Sequence, residues 1–138
     1  MNQEHYLFSQ SQVLQAIFVP GSAEFDGINF LTKPDNDLQI ALMSRDNDSP
    51  VQAHQHLTSE RKIHSTQEFV WIRSGKAEVV IYDEDQSISH ELLLCTGDSI
   101  LFVSGGHAIK FLTTTHLLEI KQGPYEQSQD KVYLRKNL

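Results

Sequence analysis

The sequence predicts an all-β domain, a closed sandwich or barrel built from around ten short strands. Apolar and polar residues alternate along most of the chain, turn-forming residues interrupt that alternation at short intervals, and helical periodicity is nearly absent. At 138 residues the chain fits one domain. A domain of that size buries roughly 68% of its unfolded surface, enough for a core without covalent staples.

Taken in order, 1–24 reads as an N-terminal extension in which 10–17 is a short helix, and the barrel occupies about 25–122. Strands at 25–32 and 38–44 flank Lys33-Pro34-Asp35-Asn36-Asp37, where proline and Asx residues stop a ladder. Arg45-Asp46-Asn47-Asp48-Ser49-Pro50 closes the second of them, and 51–57 is the next strand. Strands at 68–72 and 76–82 are joined through Arg73-Ser74-Gly75, read as a tight hairpin in which glycine supplies a positive φ. Asp83 to Gln86 is a turn, and strands at 91–95, 99–103, 108–112 and 116–121 follow, spaced by Thr96-Gly97-Asp98 and Thr113-Thr114-Thr115. The tail 123–138 is polar, with 131–138 partly basic and able to add an edge strand.

Charge and cysteine content narrow the partners. Eighteen acidic against eleven basic residues leave a formal charge of -7, which would repel the phosphates of nucleic acid and of anionic lipid. A small-molecule ligand is the expected partner. Cys95 is the single cysteine, so no internal disulfide forms, and a reducing compartment is the simpler inference. The first residues lack the cationic flank and apolar run of a signal peptide, and no apolar stretch approaches the roughly 20 residues that cross a bilayer. The expectation is a cytoplasmic protein without a membrane partner.

The histidines give such a barrel a job. On a strand, residues i and i+2 share a face with Cα atoms about 6.6 Å apart, so His54 and His56 can converge on one ion at about 2.1 Å. The same alternation sets Thr66, Glu68, Val70 and Ile72 on one face and Gln67, Phe69 and Trp71 on the other. Glu68 therefore shares a face with core residues, where a carboxylate is expensive to desolvate unless a cation or donors compensate it. His107 follows Gly105 and Gly106, which let the backbone come close to whatever the imidazole holds. Three imidazoles and one carboxylate make a mixed N/O set suited to one divalent transition-metal ion: iron, manganese, zinc, nickel or cobalt. On an extended chain His64 and Glu68 lie about 13 Å apart, more than two side chains at one ion span. His64 is thus expected beside the metal, facing substrate, or in place of His54 or His56 if the loop folds otherwise. Arg61, Lys62 and His64 offer positive charge to an anionic substrate.

From His54 to His107 the chain resembles a cupin, whose two motifs read G(X)5HXH(X)3-4E(X)6G and G(X)5PXG(X)2H(X)3N. Glu68 and Gly75 reproduce the E(X)6G half of the first, and Gly97, Gly105 and His107 much of the second. Eleven residues separate His56 from Glu68 where the family has three or four. Glu60 fits the shorter spacing, but Gln67 then takes the place of glycine, and Glu68 is preferred. Val103 stands for the motif's proline and Phe111 for its asparagine. The likeness covers about residues 38 to 122. It implies a jelly-roll β-barrel, a double-stranded β-helix, with His54, His56, Glu68 and His107 as metal ligands. The string TQE, then GGH, then Glu119-Ile120-Lys121-Gln122-Gly123-Pro124-Tyr125 is also similar to small bacterial cupins associated with sugar metabolism.

Two classes of function follow. In the first, the ion acts as a Lewis acid on a small polar substrate such as a sugar, Glu68 or His64 moves protons, and Arg61 with His64 binds substrate. Isomerisation, epimerisation or, with iron, oxygenation would result. In the second, the pocket binds or senses a small molecule without turning it over, with or without metal. Exposed strand edges and outward aromatics at Phe69 and Trp71 lead one to expect a homodimer.

Overall fold

The computed structural model describes residues 4–126 and 130–135. Among them there is no helix, and ten strands form three antiparallel sheets. They are β1 (His5–Phe8), β2 (Leu14–Val19), β3 (Ile28–Phe30), β4 (Ala41–Met43), β5 (Glu68–Ser74), β6 (Lys76–Tyr82), β7 (Ile88–Cys95), β8 (Ser99–Phe102), β9 (Gly106–Phe111) and β10 (His116–Lys121). A five-stranded sheet runs β1-β2-β8-β5-β10, a three-stranded sheet β7-β6-β9, and β3 pairs with β4 alone. Among the described residues the ladders do not close into a ring, so of the closed sandwich or barrel expected the structure shows packed sheets and no closed barrel.

Alternation on the central strands explains the packing. Ala16, Val70, Ile72, Ile100 and Phe102 point from the five-stranded sheet to Val79, Ile81 and Leu94 of the three-stranded one, and together they form a buried core. The residues between them point the other way. Ile17, Val19 and Leu101 bury with Leu31, and Leu38, Ile40, Leu42 and Phe69 pack against them. The five-stranded sheet is therefore covered on both faces, by a second sheet inside and by the 23–42 stretch outside.

That double burial corrects the reading of 10–17 as a helix. Leu14-Gln15-Ala16-Ile17-Phe18-Val19 is nearly continuous in apolar residues because both its faces are buried, and such a run does not display the two-residue period that marks a half-buried strand. It also corrects the expectation for Phe69, which is covered by its own chain while Trp71 stays 38% exposed.

Two further expectations fail. Gly75, at φ +106°, does not close a hairpin, because β5 and β6 belong to different sheets; it is the corner where the chain passes from one to the other. A Cβ there would lie 2.5 Å from Thr115 Oγ1 and 2.7 Å from the Thr114 carbonyl oxygen. The stretch 51–57 is not a strand: no ladder forms between β4 and β5, and every residue from 43 to 66 is exposed. In the tail 131–135 adds no strand either, and 136–138 lie outside the described residues.

Candidate functional site

Where β9 faces the ends of β5, β8 and β10, the two main sheets part around a cavity of about 690 Å³. Its floor follows from register. Lys121, Glu68 and Phe102 lie side by side across β10, β5 and β8, and strand parity turns Glu68 and Phe102 inward with Val70, Ile72 and Ile100. From the opposite sheet His107, paired with Ile81, lays its ring on that of Phe102 with centroids 3.8 Å apart and planes 6° from parallel. Its Nε2 is 3.7 Å from Glu68 Oε2.

The turn that delivers His107 is held by a buried glutamine. Gln15, only 2% exposed, donates from Nε2 to the Tyr82 carbonyl and to Asp83 Oδ1, accepts from Ser89 Oγ at 2.7 Å, and its carbonyl accepts Val103 N–H and Ser104 N–H. Gly105, at φ +77°, passes so close that a Cβ would sit 2.9 Å from the Tyr82 carbonyl oxygen. The Gln15 backbone carbonyl thus holds the turn before His107, while its side-chain amide ties the same strand to Tyr82, Asp83 and Ser89 around the β6–β7 hairpin.

Burial drives the imidazole of His107 down to about 4, helped by the Lys131 ammonium. Burial raises the Glu68 carboxyl, as do the Glu119 and Asp130 carboxylates, against the lowering pull of Lys121 and Lys131. At neutral pH the pair is therefore a neutral imidazole beside a carboxyl group of increased basicity. The distance is that of an ion pair; the protonation state is not. Such an arrangement can accept a proton on either group and return it.

The remaining residues singled out in the sequence stand elsewhere. His54 and His56 meet each other, ring centroids 5.1 Å apart and edge to face, on the exposed 43–66 stretch. His54 Nδ1 lies 2.8 Å from the Gln52 carbonyl oxygen, so that nitrogen carries the hydrogen and Nε2 keeps its lone pair. His64 Nδ1 is 3.4 Å from Asp37 Oδ1, while the N–H groups of His64 and Ser65 and the Ser65 hydroxyl donate to Asp37 Oδ2. Burial works to raise the Asp37 carboxyl, but these hydrogen bonds from Ser65 and His64 outweigh it and hold the group below its usual value. Neither His64 nor Arg61 lines the cavity; Arg61 borders an open surface hollow with Glu60 and Lys62. Among the described residues no three His, Cys, Asp or Glu side chains gather as a metal-binding group. The four expected ligands fall into two pairs instead, His54 with His56 and Glu68 with His107.

Sequence reasoning missed Lys121, Phe102 and the tail as parts of the site. Parity on β10 was the available signal for Lys121, since Leu117 packs into the core and residues two and four positions on share its face. Comparison with known proteins finds no family model that matches the chain, no similar curated protein and no similar solved structure.

Proposed function

We propose that the cavity between the sheets binds a small polar molecule and that Glu68 and His107 act on it as a proton-transferring pair, in a protein of the cupin jelly-roll type. What carries this reading is the juxtaposition at 3.7 Å of a neutral imidazole and a carboxyl group of raised pKa, both projecting into a cavity large enough for a sugar-sized compound. The succession of strands supports the jelly roll: from β5 to β10 the chain changes sheet at every connection except the β6–β7 hairpin.

The resemblance adds a divalent transition metal. The chemistry of Glu68 and His107 fits it, because a neutral Nε2 and a carboxylate 3.7 Å apart are within the span of two bonds of about 2.1 Å to one ion. His54 and His56 stand apart on the exposed 43–66 stretch and would have to be brought to the cavity to complete the set, with the lone pair of His54 Nε2 free for the ion. When bound, the ion would polarise a carbonyl or hydroxyl oxygen of the substrate. Where the two groups are not taken up as ligands, Glu68 takes a proton from a carbon beside the substrate's oxygen, His107 exchanges one with that oxygen, and Phe102 keeps the imidazole plane fixed by stacking. Isomerisation or epimerisation of a hydroxy-carbonyl compound is the reaction class these movements serve.

Elemental analysis of protein purified without chelator tests the metal arm. About one transition-metal ion per chain is expected, lost on His107→Gln substitution; a metal-free protein that also gains no thermal stability from added Mn²⁺, Zn²⁺, Ni²⁺ or Co²⁺ would reject it. A binding or sensing role without turnover is the second reading, and the apolar Leu134 side chain lying against Gly106 at the cavity favours it. Proton exchange from C2 of a bound sugar into deuterated water separates the two.

A further inference from the structure

The cavity already holds a carboxylate. Asp130 and residues 131–134 line it, and Asp130 Oδ2 accepts a hydrogen bond from Lys121 Nζ at 2.7 Å. Both side chains are largely withdrawn from water, Lys121 at 18% and Asp130 at 14% exposure, so this is no loose surface pair. Lys121 is well placed for such a partner. It stands on β10 directly beside Glu68, its ammonium 4.4 Å above the Tyr125 ring and 3.8 Å from Glu119. At the far end of the same stretch Leu134 packs against Gly106, where a Cβ would come within 2.6 Å of it, and the Arg135 N–H donates to Gln86 Oε1. The Asp130 N–H also donates to the Glu126 carbonyl and the Lys131 ammonium lies 5.7 Å from the Tyr125 ring centroid, but Val132 is 91% and Tyr133 85% exposed, and 131–134 add no strand to a sheet.

Building on the reading of the cavity as a ligand site, we infer that its ligand is a small carboxylic acid, whose acid group pairs with Lys121 in the position Asp130 fills, and that residues 130–135 form a strap which this ligand displaces. An internal carboxylate in contact with the ammonium is a template for the external one, since charge-assisted pairing at that distance and burial is selective for a hard anion over a neutral hydroxyl. Displacing the strap removes Asp130 and Lys131 together and leaves Lys121 as the fixed cation beside Glu68 and Glu119. The acid's body then faces the Glu68–His107 pair. A ligand that competes with a tethered carboxylate binds more weakly in proportion to the strap's occupancy, so loosening the strap strengthens binding.

Gluconate and glucose are suitable probes, because both are six-carbon polyhydroxy compounds and only gluconate carries a carboxylate, to which Lys121→Met assigns any preference. Isothermal calorimetry on the full chain is expected to give gluconate at least a tenfold preference over glucose. Lys121→Met should erase that preference, and Asp130→Asn should raise gluconate affinity at least fivefold, with thermal unfolding confirming that both variants fold. Equal affinities for the two compounds, a preference that survives Lys121→Met, an Asp130→Asn variant no better than wild type, or no gluconate binding by either would each overturn the inference. Loss of glucose binding on His107→Gln under those circumstances would keep the cavity as the ligand site and discard only the acid and the strap.

Discussion

Two pairs of candidate donors occupy opposite surroundings in this protein. Glu68 and His107 sit on β5 and β9, with backbones tied into ladders on strands that bring Val70, Ile72 and Ile109 to the core, and their side chains meet in a cavity. His54 and His56 also meet, yet on a stretch without strand pairing in which all residues are exposed. The contrast teaches that spacing along the chain decides which side chains can share a face, whereas the destination of the backbone hydrogen bonds decides whether that face is inside. His-X-His needs a strand to become a pair of inward ligands, and 51–57 finds no partner to ladder with.

The largest effect expected from breaking this contrast lies beneath the inner pair. Ile100 is fully buried between β2 and β5, and Ile100→Ala should destabilise by about 2–5 kcal/mol in urea unfolding. Gly75→Ala comes next, at about 1–3 kcal/mol, because a side chain at φ +106° is strained and its Cβ collides with Thr114 and Thr115.

Protonation sharpens the comparison further. His107 has its folded pKa pulled from 6.5 to about 4, so the neutral form contributes stability that is complete above pH 6.5 and is lost as pH falls through about 4. Glu68 runs the other way: its folded pKa is raised above 4.5, so its contribution is present below pH 4.5 and disappears as pH rises through the folded value. Stability measured from pH 4 to 6.5 should therefore rise less steeply in His107→Gln than in the wild type, and more steeply in Glu68→Gln. Parallel slopes in all three would show that neither group is buried as described.

The smallest effect belongs to the outer pair. His54→Ala and His56→Ala should each change unfolding free energy by less than about 0.5 kcal/mol. If the four-ligand metal set of the cupin resemblance is assembled in solution, His56→Ala should nevertheless lower metal content at least tenfold. Unchanged stoichiometry would reject His56 as a ligand.

Strands from β5 onward were legible in the sequence because each is bounded by turn residues, and parity alone placed Glu68 on the face of Val70 and Ile72. His107 was legible from its two glycines. The β2 strand was not, since burial on both faces removes the alternation that announces a strand. The contact of Lys121 with Asp130 was not, because no local pattern links a residue on β10 to one nine positions later in an irregular tail.

By itself, then, the sequence determined an all-β chain and the inward face of β5 that carries Glu68, because those depend on short-range steric and hydrophobic periodicity. The tertiary structure alone decided that the sheets stack without closing, that Gly75 turns a corner between them, that 51–57 stays outside the ladders, and that an aspartate from the tail meets Lys121. Each of these depends on contacts between residues distant along the chain, competing for the same backbone partners and the same buried space, and no local pattern records who wins that competition.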